Sequence, residues 1–390
     1  MLKIIHIITS LDQGGAEKTL YRLVNASIDK FDHHVIVLKS EGIYGPRLKK
    51  LGISVTALNM PTGRVTFSGL KKLHSILKNE REALVQTWLY HSDLLGGIFA
   101  KLNRVKGIIW SLRNAHVHEA SKFTSVIVYF CAKISGIIPT LQISCSHYAL
   151  DVHRKIGYKC NAIVIPNGLD LNSYKPDNEK RNNFRHANCI GPDAFLVGMV
   201  ARYDPQKDHE SLLTGFAKFT NTIYSNSNTK EANSGFGAGP EIKMALIGNK
   251  CDNDNNQLLK LIAQLELTDR ILLMGSRDDI PDVLAAIDVH ALTSLSEAFP
   301  NVLAESMACG TPCVSTNVGD AEIILGQHGY LCPTRDSELF AQKLQEAYRD
   351  FQDRDAWRLK QENCRKHIQS NFSIDKMVDQ YSATWNSLST

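Results

Sequence analysis

Short apolar runs alternate with amphipathic segments through the first 168 residues. Each apolar run is bounded by turn residues, which predicts strands, and the longer segments between them have the periodicity of helices. Strands are predicted at residues 3–9, 34–38, 54–58, 84–87, 107–111, 142–146 and 162–165, and helices at 16–26, 70–78 and 93–101 among others. Strands that alternate with helices predict a parallel, doubly wound sheet. The turn residues Pro166, Asn167 and Gly168 predict the end of this first domain at residue 168.

A second series of the same kind follows. Strands are predicted at residues 195–200, 243–247, 271–274, 289–292, 313–316 and 329–332. A helix is expected at 208–223, and the polar, glycine- and serine-rich stretch 224–240 is expected to be a surface insertion. The tail is predicted to be helical from Ser337, with a break near 371–373 and a last helix at 374–388. We therefore expect a second α/β domain at 169–372 and a separate C-terminal helix at 373–390.

The stretch 292–318 carries the most specific chemistry. Pro300 suits a first helical position and Gly310 a helix end, which predicts a helix at 300–309. Its first N–H groups, at Phe299, Asn301 and Val302, would offer an anion site, flanked by Glu297 and Glu305. A nucleotide-sugar has phosphate at its centre and hydroxyls at both ends, so it fits such a site. The alternative is two solvated glutamates; the aromatic, proline and glycine residues around them argue against coincidence.

The segment SEAFPNVLAESMACGTPCVST resembles the signature of retaining glycosyltransferases of family 4, with its E-x7-E pair at Glu297 and Glu305. The resemblance implies the GT-B fold, in which two Rossmann-like domains face each other across an interdomain cleft. It implies acceptor binding by residues 1–168, nucleotide-sugar binding by 169–372, and a last helix, 373–390, that returns to the first domain. It also implies an enzyme of bacterial surface-polysaccharide synthesis.

Two places in the first domain match this family. Gly14 and Gly15 form a strand-to-helix turn that brings backbone close to a ligand, and the family places such a turn beside the diphosphate. His91 follows a strand, at the sheet edge where α/β proteins bind ligands, and the family has a histidine there that orients the donor sugar. Arg113, followed by His116 and His118, either binds an anionic acceptor or is merely solvated.

The second domain supplies the cations. Arg202 and Lys207 straddle a proline turn after its first strand, and their spacing resembles the family's R-x4-K pair, which stabilises the departing diphosphate. They stand out because this part of the chain is acidic, although surface cations are common in loops. By their position in the family, Ser276 and Arg277 are candidates for nucleobase contact. The sequence shows no aspartate–histidine cluster typical of a metal, so no metal or other cofactor is expected.

Charge is divided unevenly along the chain. Residues 1–170 hold 22 Lys+Arg and 11 Asp+Glu, a balance of +11, whereas the remainder has a balance of −7. No nucleic-acid-binding motif accompanies the basic half, so nucleic acid is not the expected partner. Lys71, Lys72 and Lys78 with Arg104 and Lys106 instead suggest an anionic bilayer. Nine cysteines without C-x-x-C spacing, and no long apolar run, favour a cytoplasmic protein. A peripheral position on the cytoplasmic face of the inner membrane is a further expectation.

These observations favour a retaining, metal-independent transferase that moves a hexose from a nucleotide-sugar, with UDP as the favoured nucleotide, to a glycan acceptor that is lipid-linked. The residues leave front-face attack and a covalent intermediate open. One alternative is a nucleotide-sugar epimerase or a phosphorylase on the same fold, although no lysine site for pyridoxal phosphate is evident. The other is a non-catalytic subunit of a glycan-assembly complex, which would be expected to lack these polar site residues.

Overall fold

The computed structural model describes residues 1–12, 14–115, 122–228 and 240–389. The chain divides into two compact units. Unit 1 comprises Met1–Asp170 and Phe372–Thr390, and unit 2 comprises Leu171–Asn371. Most of the predicted insertion at 224–240 lies outside the described residues.

Unit 1 is built on a seven-stranded parallel sheet with strand order β3-β2-β1-β4-β5-β6-β7. Its strands are β1 (Lys3–Ile8), β2 (Asp32–Val37), β3 (Ser54–Ala57), β4 (Leu84–Trp88), β5 (Gly107–Leu112), β6 (Leu141–Ser144) and β7 (Ala162–Val164). Its helices are α1 (Gly15–Ser27), α2 (Tyr44–Lys50), α3 (Phe67–Leu77), α4 (Tyr90–Leu102), α5 (Lys122–Ile134), α6 (His147–Ile156) and α15 (Ile374–Ser389). The central strands are apolar on both faces because helices cover both sides of the sheet.

The two faces of this sheet have separate cores. Helices α3 to α6 contribute to the core on one face, and α1, α2 and α15 to the core on the other. Tyr381 and Trp385 of α15 are fully buried, and Leu169 forms a parallel bridge with Ser373 just before this helix. The last helix is therefore an integral layer of unit 1.

Unit 2 is built on a six-stranded parallel sheet with strand order β10-β9-β8-β11-β12-β13. Its strands are β8 (Phe195–Val200), β9 (Ile242–Ile247), β10 (Ile271–Leu273), β11 (Val289–Leu292), β12 (Cys313–Thr316) and β13 (Tyr330–Cys332). Its helices are α7 (Asn178–Ala187), α8 (His209–Asn228), α9 (Asn256–Gln264), α10 (Ile280–Ala286), α11 (Asn301–Ala308), α12 (Ala321–Leu325), α13 (Ser337–Gln352) and α14 (Arg354–Asn371). The prediction of α/β units with parallel sheets is confirmed.

Three local predictions were wrong. Pro300 is the N-cap residue of α11 and not its first helical residue, since its ψ of 86° is outside the helical range. Helix α8 continues to Asn228, five residues beyond its predicted end. The tail contains a further break at Asp353, whose extended backbone (ψ 97°) separates α13 from α14.

Both sheets reverse their strand order next to their first strand. In unit 1 the reversal lies between β1 and β4, and in unit 2 between β8 and β11. Loops at the carboxyl ends of such a strand pair diverge and leave a crevice in which open α/β sheets bind ligands. We therefore expect the predicted site residues in the four loops that follow β1, β4, β8 and β11.

Candidate active site

An ion pair joins the two loops at the reversal point of unit 2. Lys207 ends a short 3-10 turn, Pro205–Lys207, after β8, and Glu297 lies in the loop after β11. The Lys207 ammonium is paired with Oε1 of Glu297, and Ser294 Oγ donates to the same oxygen over 2.8 Å. The two side chains are only 18% and 15% exposed. The structure thus brings together two predicted site residues that are 90 positions apart.

Backbone contacts hold these two loops in register. Leu295 N donates to Gln206 O over 2.8 Å, and Thr293 Oγ1 lies 3.0 Å from the carbonyl oxygens of both Lys207 and Asp208. The Lys207–Glu297 pair is therefore part of a fixed arrangement, and not a chance meeting of two long side chains.

Arg202 lies in the same loop as Lys207 and is more exposed. Its Nε donates to Asp204 Oδ2 over 3.1 Å, and its side chain is 58% exposed. Burial alone would raise the pKa of Asp204, but the Gln206 N–H, Arg202 and Lys207 hold that pKa below its usual value. Both cations therefore act on one carboxylate, which places them near each other at the carboxyl end of β8.

Glu305 lies on α11 and is buried. His290 of β11 is fully buried and accepts a hydrogen bond from Val200 N over 3.3 Å. Burial lowers the pKa of His290 to about 3, while the Glu305 carboxylate opposes the shift. A neutral imidazole therefore ties β8 to β11. Sequence reasoning missed His290; the available signal was a single polar residue within an otherwise apolar strand.

The loop from β11 to α11 is also shaped by the loop after β12. Gly319 has a φ of +57°, and a Cβ atom there would lie 2.5 Å from Ala298 O and 2.6 Å from Glu297 O. Asp320 N donates to Ala298 O over 3.2 Å. Gly319 and Asp320 were not predicted as part of the site, although a Gly-Asp turn after a strand was visible in the sequence.

The remaining residues of the predicted anion site line the start of α11. Phe299 is buried, while Asn301 and Val302, the first two residues of the helix, are half-buried. The structure therefore places these backbone groups directly after the loop that carries Glu297.

The loops after β9 and β10 adjoin the same edge. Gly248 N donates to Gly275 O over 2.7 Å, and a Cβ atom on Gly248 would lie 2.1 Å from Ala201 O, so only glycine fits there. Ser276 and Arg277 follow Gly275. Arg277 makes a two-pronged contact with Asp279, at 2.7 and 2.5 Å, and lies 5.6 Å from the centre of the Phe184 ring.

The predicted residues of unit 1 lie after β1 and β4. Gly14 is the N-cap residue of α1, and the Glu17 carboxylate folds back so closely that a Cβ atom on Gly14 would lie 2.3 Å from its Oε2. Burial raises the pKa of Glu17. Gly15 is the first residue of α1, and Gln13 lies outside the described residues.

His91 is in the first turn of α4, two residues after a strained residue. Leu89 has φ 73° and ψ 154°, a conformation that is unfavourable for any residue with a side chain. The hydroxyls of Thr9 and Ser92 are 3.2 Å apart, so the loop after β1 touches the start of α4. Burial, with help from Lys39, lowers the pKa of His91. A neutral imidazole that can donate and accept hydrogen bonds is therefore held at the reversal point of the sheet.

Arg113 is bound within unit 1. Its guanidinium donates to Asn167 Oδ1 over 2.9 Å and to the Tyr381 hydroxyl, and it lies 4.6 Å from the centre of the Trp88 ring. These contacts join β5 to α15, which is a structural role. His116 and His118 lie outside the described residues.

Within the described part of the chain, no three His, Cys, Asp or Glu side chains gather in a way that could hold a metal ion. No helix there is both long enough and apolar enough to cross a bilayer.

The chain is similar to known proteins in sequence and in fold. A family model described as Glycosyl transferases group 1 matches residues 180–363. The chain is 27% identical over 394 residues to the UDP-Gal:alpha-D-GlcNAc-diphosphoundecaprenol alpha-1,3-galactosyltransferase of Escherichia coli. The matched region covers 97% of this chain and 95% of that relative. It is 35% identical to the N-acetyl-alpha-D-glucosaminyl L-malate synthase of Bacillus anthracis over 126 residues, 32% of each chain.

A solved structure, HepE from Anabaena in complex with UDP, has a TM-score of 0.82 at 21% identity and covers 99% of this chain and 100% of that one. The same protein has also been solved with UDP-glucose. The expected GT-B fold is confirmed, and the comparisons support glycosyltransferase activity.

Proposed function

We propose that this chain is a retaining, metal-independent glycosyltransferase that moves a hexose from a UDP-sugar to a lipid-linked glycan at the cytoplasmic face of a membrane. The observation that carries the proposal is the Lys207–Glu297 pair, because it sets a cation and a carboxylate side by side at the reversal point of unit 2. Transfer from a nucleotide-sugar needs this combination, since the diphosphate requires positive charge and the sugar hydroxyls require an acceptor.

Each predicted site residue of unit 2 has a role in this reaction. Departure of the nucleotide builds negative charge on the leaving oxygen, which Arg202, Lys207 and the N–H groups that open α11 stabilise. Preorganised donors of this kind contribute about 3–4 kcal/mol each to transition-state stabilisation. Glu297 holds sugar hydroxyls and the buried Glu305 holds the ribose. Ser276 and Arg277 contact the nucleobase.

In unit 1, His91 orients the transferred sugar, and Gly14 and Gly15 allow close approach of the diphosphate. The lowered pKa of His91 keeps its imidazole neutral, so it acts as a hydrogen-bond partner and not as a fixed charge.

The relatives support the proposed donor, acceptor and stereochemistry. The E. coli relative uses UDP-Gal and a diphosphoundecaprenol-linked GlcNAc, and it forms an alpha-1,3 linkage. The sugar of UDP-galactose is itself α-linked, so an α product corresponds to retention. HepE was solved with UDP and UDP-glucose.

The experiment is a transfer assay with purified protein, UDP-galactose and GlcNAc-diphosphate on a short alkyl chain. Lys207→Ala and Glu305→Ala should each lower kcat/KM by a factor of about 100 or more. Lys218→Ala is the matched control because it breaks a surface pair of the same unit, with Glu338 at 2.8 Å, away from the site. Wild-type kinetics in both site variants would refute the assignment.

The stereochemistry and the metal requirement can be read from the same reaction. NMR of the product should show an α anomer, and EDTA should leave the rate unchanged. A β anomer would overturn retention, and loss of activity restored by a divalent cation would overturn metal independence. Donor incubated without acceptor should not be epimerised; an epimer would replace the transferase by a nucleotide-sugar epimerase.

A further inference from the structure

Helix α5 has apolar side chains on both of its faces. Ile127, Val128 and Cys131 are buried in the core of unit 1. The opposite side carries four large apolar residues, each more than half exposed: Phe123, Val126, Tyr129 and Phe130. These four positions fall within about one-third of the helix circumference at 3.6 residues per turn. A helix at a protein surface normally has a polar outer face, so this stripe requires an apolar environment.

One cation lies on the stripe, and others lie at the C-terminal ends of the neighbouring helices. The Lys133 ammonium lies 5.1 Å from the centre of the Tyr129 ring. Ile137, which follows the end of α5, is also 69% exposed. Further exposed cations end the neighbouring helices: Lys101, Arg104 and Lys106 at α4, and Arg154 and Lys155 at α6. Among the described residues from 90 to 160, the carboxylates are Asp93, which is fully buried, and the exposed Asp151. This part of unit 1 therefore combines an exposed apolar helix face with cationic helix ends.

We propose that the exposed stripe of α5 is a membrane-docking face that inserts its aromatic side chains at the headgroup level of an anionic bilayer. The inference rests on the proposed function, because a lipid-linked acceptor has to be met at a membrane. Aromatic residues favour the interface of a bilayer, and each nearby lysine or arginine is attracted to anionic lipid. An amphipathic helix with aromatic residues beside lysines binds in the plane of that interface.

The stripe begins next to a predicted catalytic residue. The Phe123 ring is 6.1 Å from the His91 ring, centre to centre. A bilayer that receives Phe123 and the rest of the stripe would therefore hold lipid headgroups close to His91. An acceptor whose diphosphate is anchored in that bilayer would arrive at His91 without leaving the lipid.

The surroundings favour a bilayer over a protein partner. An interface between proteins excludes unpaired charge from its centre, whereas Lys133 lies directly on the stripe. An anionic lipid surface neutralises such cations wherever they fall. A second copy of this chain would bring a second set of cations against the first.

Vesicle co-sedimentation of the full chain tests the inference. The wild type should co-sediment at low salt with vesicles of phosphatidylcholine and phosphatidylglycerol. Much less of the protein should co-sediment with vesicles of pure phosphatidylcholine. Val126→Ser combined with Phe130→Ser should lower the partition coefficient at least tenfold, since two apolar side chains no longer enter the lipid. Leu359→Ser, which removes a comparably exposed leucine from α14 in unit 2, is the matched control and should bind as the wild type does.

Equal binding by the double variant and the wild type would overturn the docking face. So would a wild-type dimer in sedimentation velocity that the double variant abolishes, because the stripe would then be an interface between copies. A Phe130→Trp variant gives a direct reading: its fluorescence should be quenched by brominated lipids in anionic vesicles, and absence of quenching would contradict insertion.

Activity separates this inference from the proposed function. With the short-chain acceptor in solution, the double variant should transfer galactose at the wild-type rate, whereas with the acceptor in vesicles it should be at least tenfold slower. If no transfer occurs with either acceptor, the proposed function fails and the sedimentation result still decides docking. If the double variant equals the wild type on both acceptors, docking through α5 fails and the transferase stands.

Discussion

Gly319 controls the path of the loop that carries Glu297. Its φ of +57° favours glycine, and the carbonyl oxygens of Glu297 and Ala298 lie where a side chain would begin. Any side chain at this position therefore both strains the backbone and pushes the Glu297 loop away.

Gly319→Ala should destabilise unit 2 and lower activity. Backbone strain alone costs about 1–3 kcal/mol, and the close carbonyl oxygens add to it. Displacement of Glu297 by about 1 Å should lower kcat/KM by a factor of about 100. Urea denaturation and the transfer assay measure the two effects. Gly275→Ala separates the backbone strain from the close contacts, because Gly275 has a similar φ of +60° but its nearest neighbour is 3.8 Å away. Equal stability losses in the two variants would show that the close contacts of Gly319 do not affect stability.

At the level of single residues, the sequence selected candidates for the site more readily than it predicted what those candidates touch. Lys207 and Glu297 could be selected from their motifs, but their pairing depends on the order of strands β8 and β11. His290 was missed because its role follows from burial, which a single polar residue in a strand does not reveal. Arg113 was left between two interpretations, and only the fold shows that Tyr381 and Asn167 bind it.

Elements of unit 1 are joined by a buried chain of polar side chains. Trp88 of β4 donates to His6 Nδ1 over 3.2 Å, His6 Nε2 is 3.1 Å from His33 Nδ1, and His33 Nε2 is 3.0 Å from Ser27 Oγ. Each imidazole both donates and accepts in this chain, which only the neutral form can do. Burial lowers the pKa of His33 to about 4 and that of His6 well below its usual value.

Unit 1 should therefore lose stability in acid. The unfolded chain binds protons on these histidines below about pH 6.5, whereas the folded unit does not until about pH 4 for His33. The stabilising contribution is thus complete above pH 6.5 and is lost as the pH falls towards 4. His33→Gln should reduce the pH slope of the unfolding free energy in this range by about 1.4 kcal/mol per pH unit. Denaturant titrations at several pH values measure the slope, and an unchanged slope in the variant would contradict the assignment.

Helix α15 should contribute strongly to the stability of unit 1. Trp385 is fully buried, packs against Phe31 with ring centres 4.9 Å apart, and donates to Gln86 Oε1 over 2.8 Å. Trp385→Ala should lower the unfolding free energy by about 3–5 kcal/mol. Trp385→Phe keeps most of the packing and should lose about 1–3 kcal/mol through the unsatisfied Gln86. Urea titrations can compare the two variants, and a loss below 1 kcal/mol for Trp385→Ala would show that α15 is dispensable.

Short apolar runs made the strands the most predictable elements. Strands β8, β11 and β12 were predicted to the residue from such runs. The break at Asp353 was missed because neither glycine nor proline marks it. The packing of α15 joins residues 299 positions apart, a separation at which periodicity carries no information.

At the scale of the whole molecule, charge and binding residues are divided between the units. The balance of +11 for residues 1–170 contrasts with −7 for the rest. The basic part carries the exposed stripe of α5, and unit 2 carries the residues proposed to bind the nucleotide. A ligand chosen for one unit should therefore affect that unit selectively.

UDP should stabilise unit 2 more than unit 1, because its proposed contacts lie in unit 2 except for the approach of its diphosphate to Gly14 and Gly15. Tryptophan fluorescence can report on the two units separately. Of the four tryptophans, Trp357 is in unit 2, whereas Trp88, Trp110 and Trp385 are in unit 1. At 100 times its Kd, UDP adds about 2.7 kcal/mol, which raises the Tm of a domain of this size by about 5–10 °C. In a Trp357→Phe variant, circular dichroism should show this rise while tryptophan fluorescence shows a smaller one, and adding Lys207→Ala should abolish the rise seen by circular dichroism. Equal shifts in both signals would mean that UDP stabilises the two units to the same extent, and would contradict a nucleotide site that lies chiefly in unit 2.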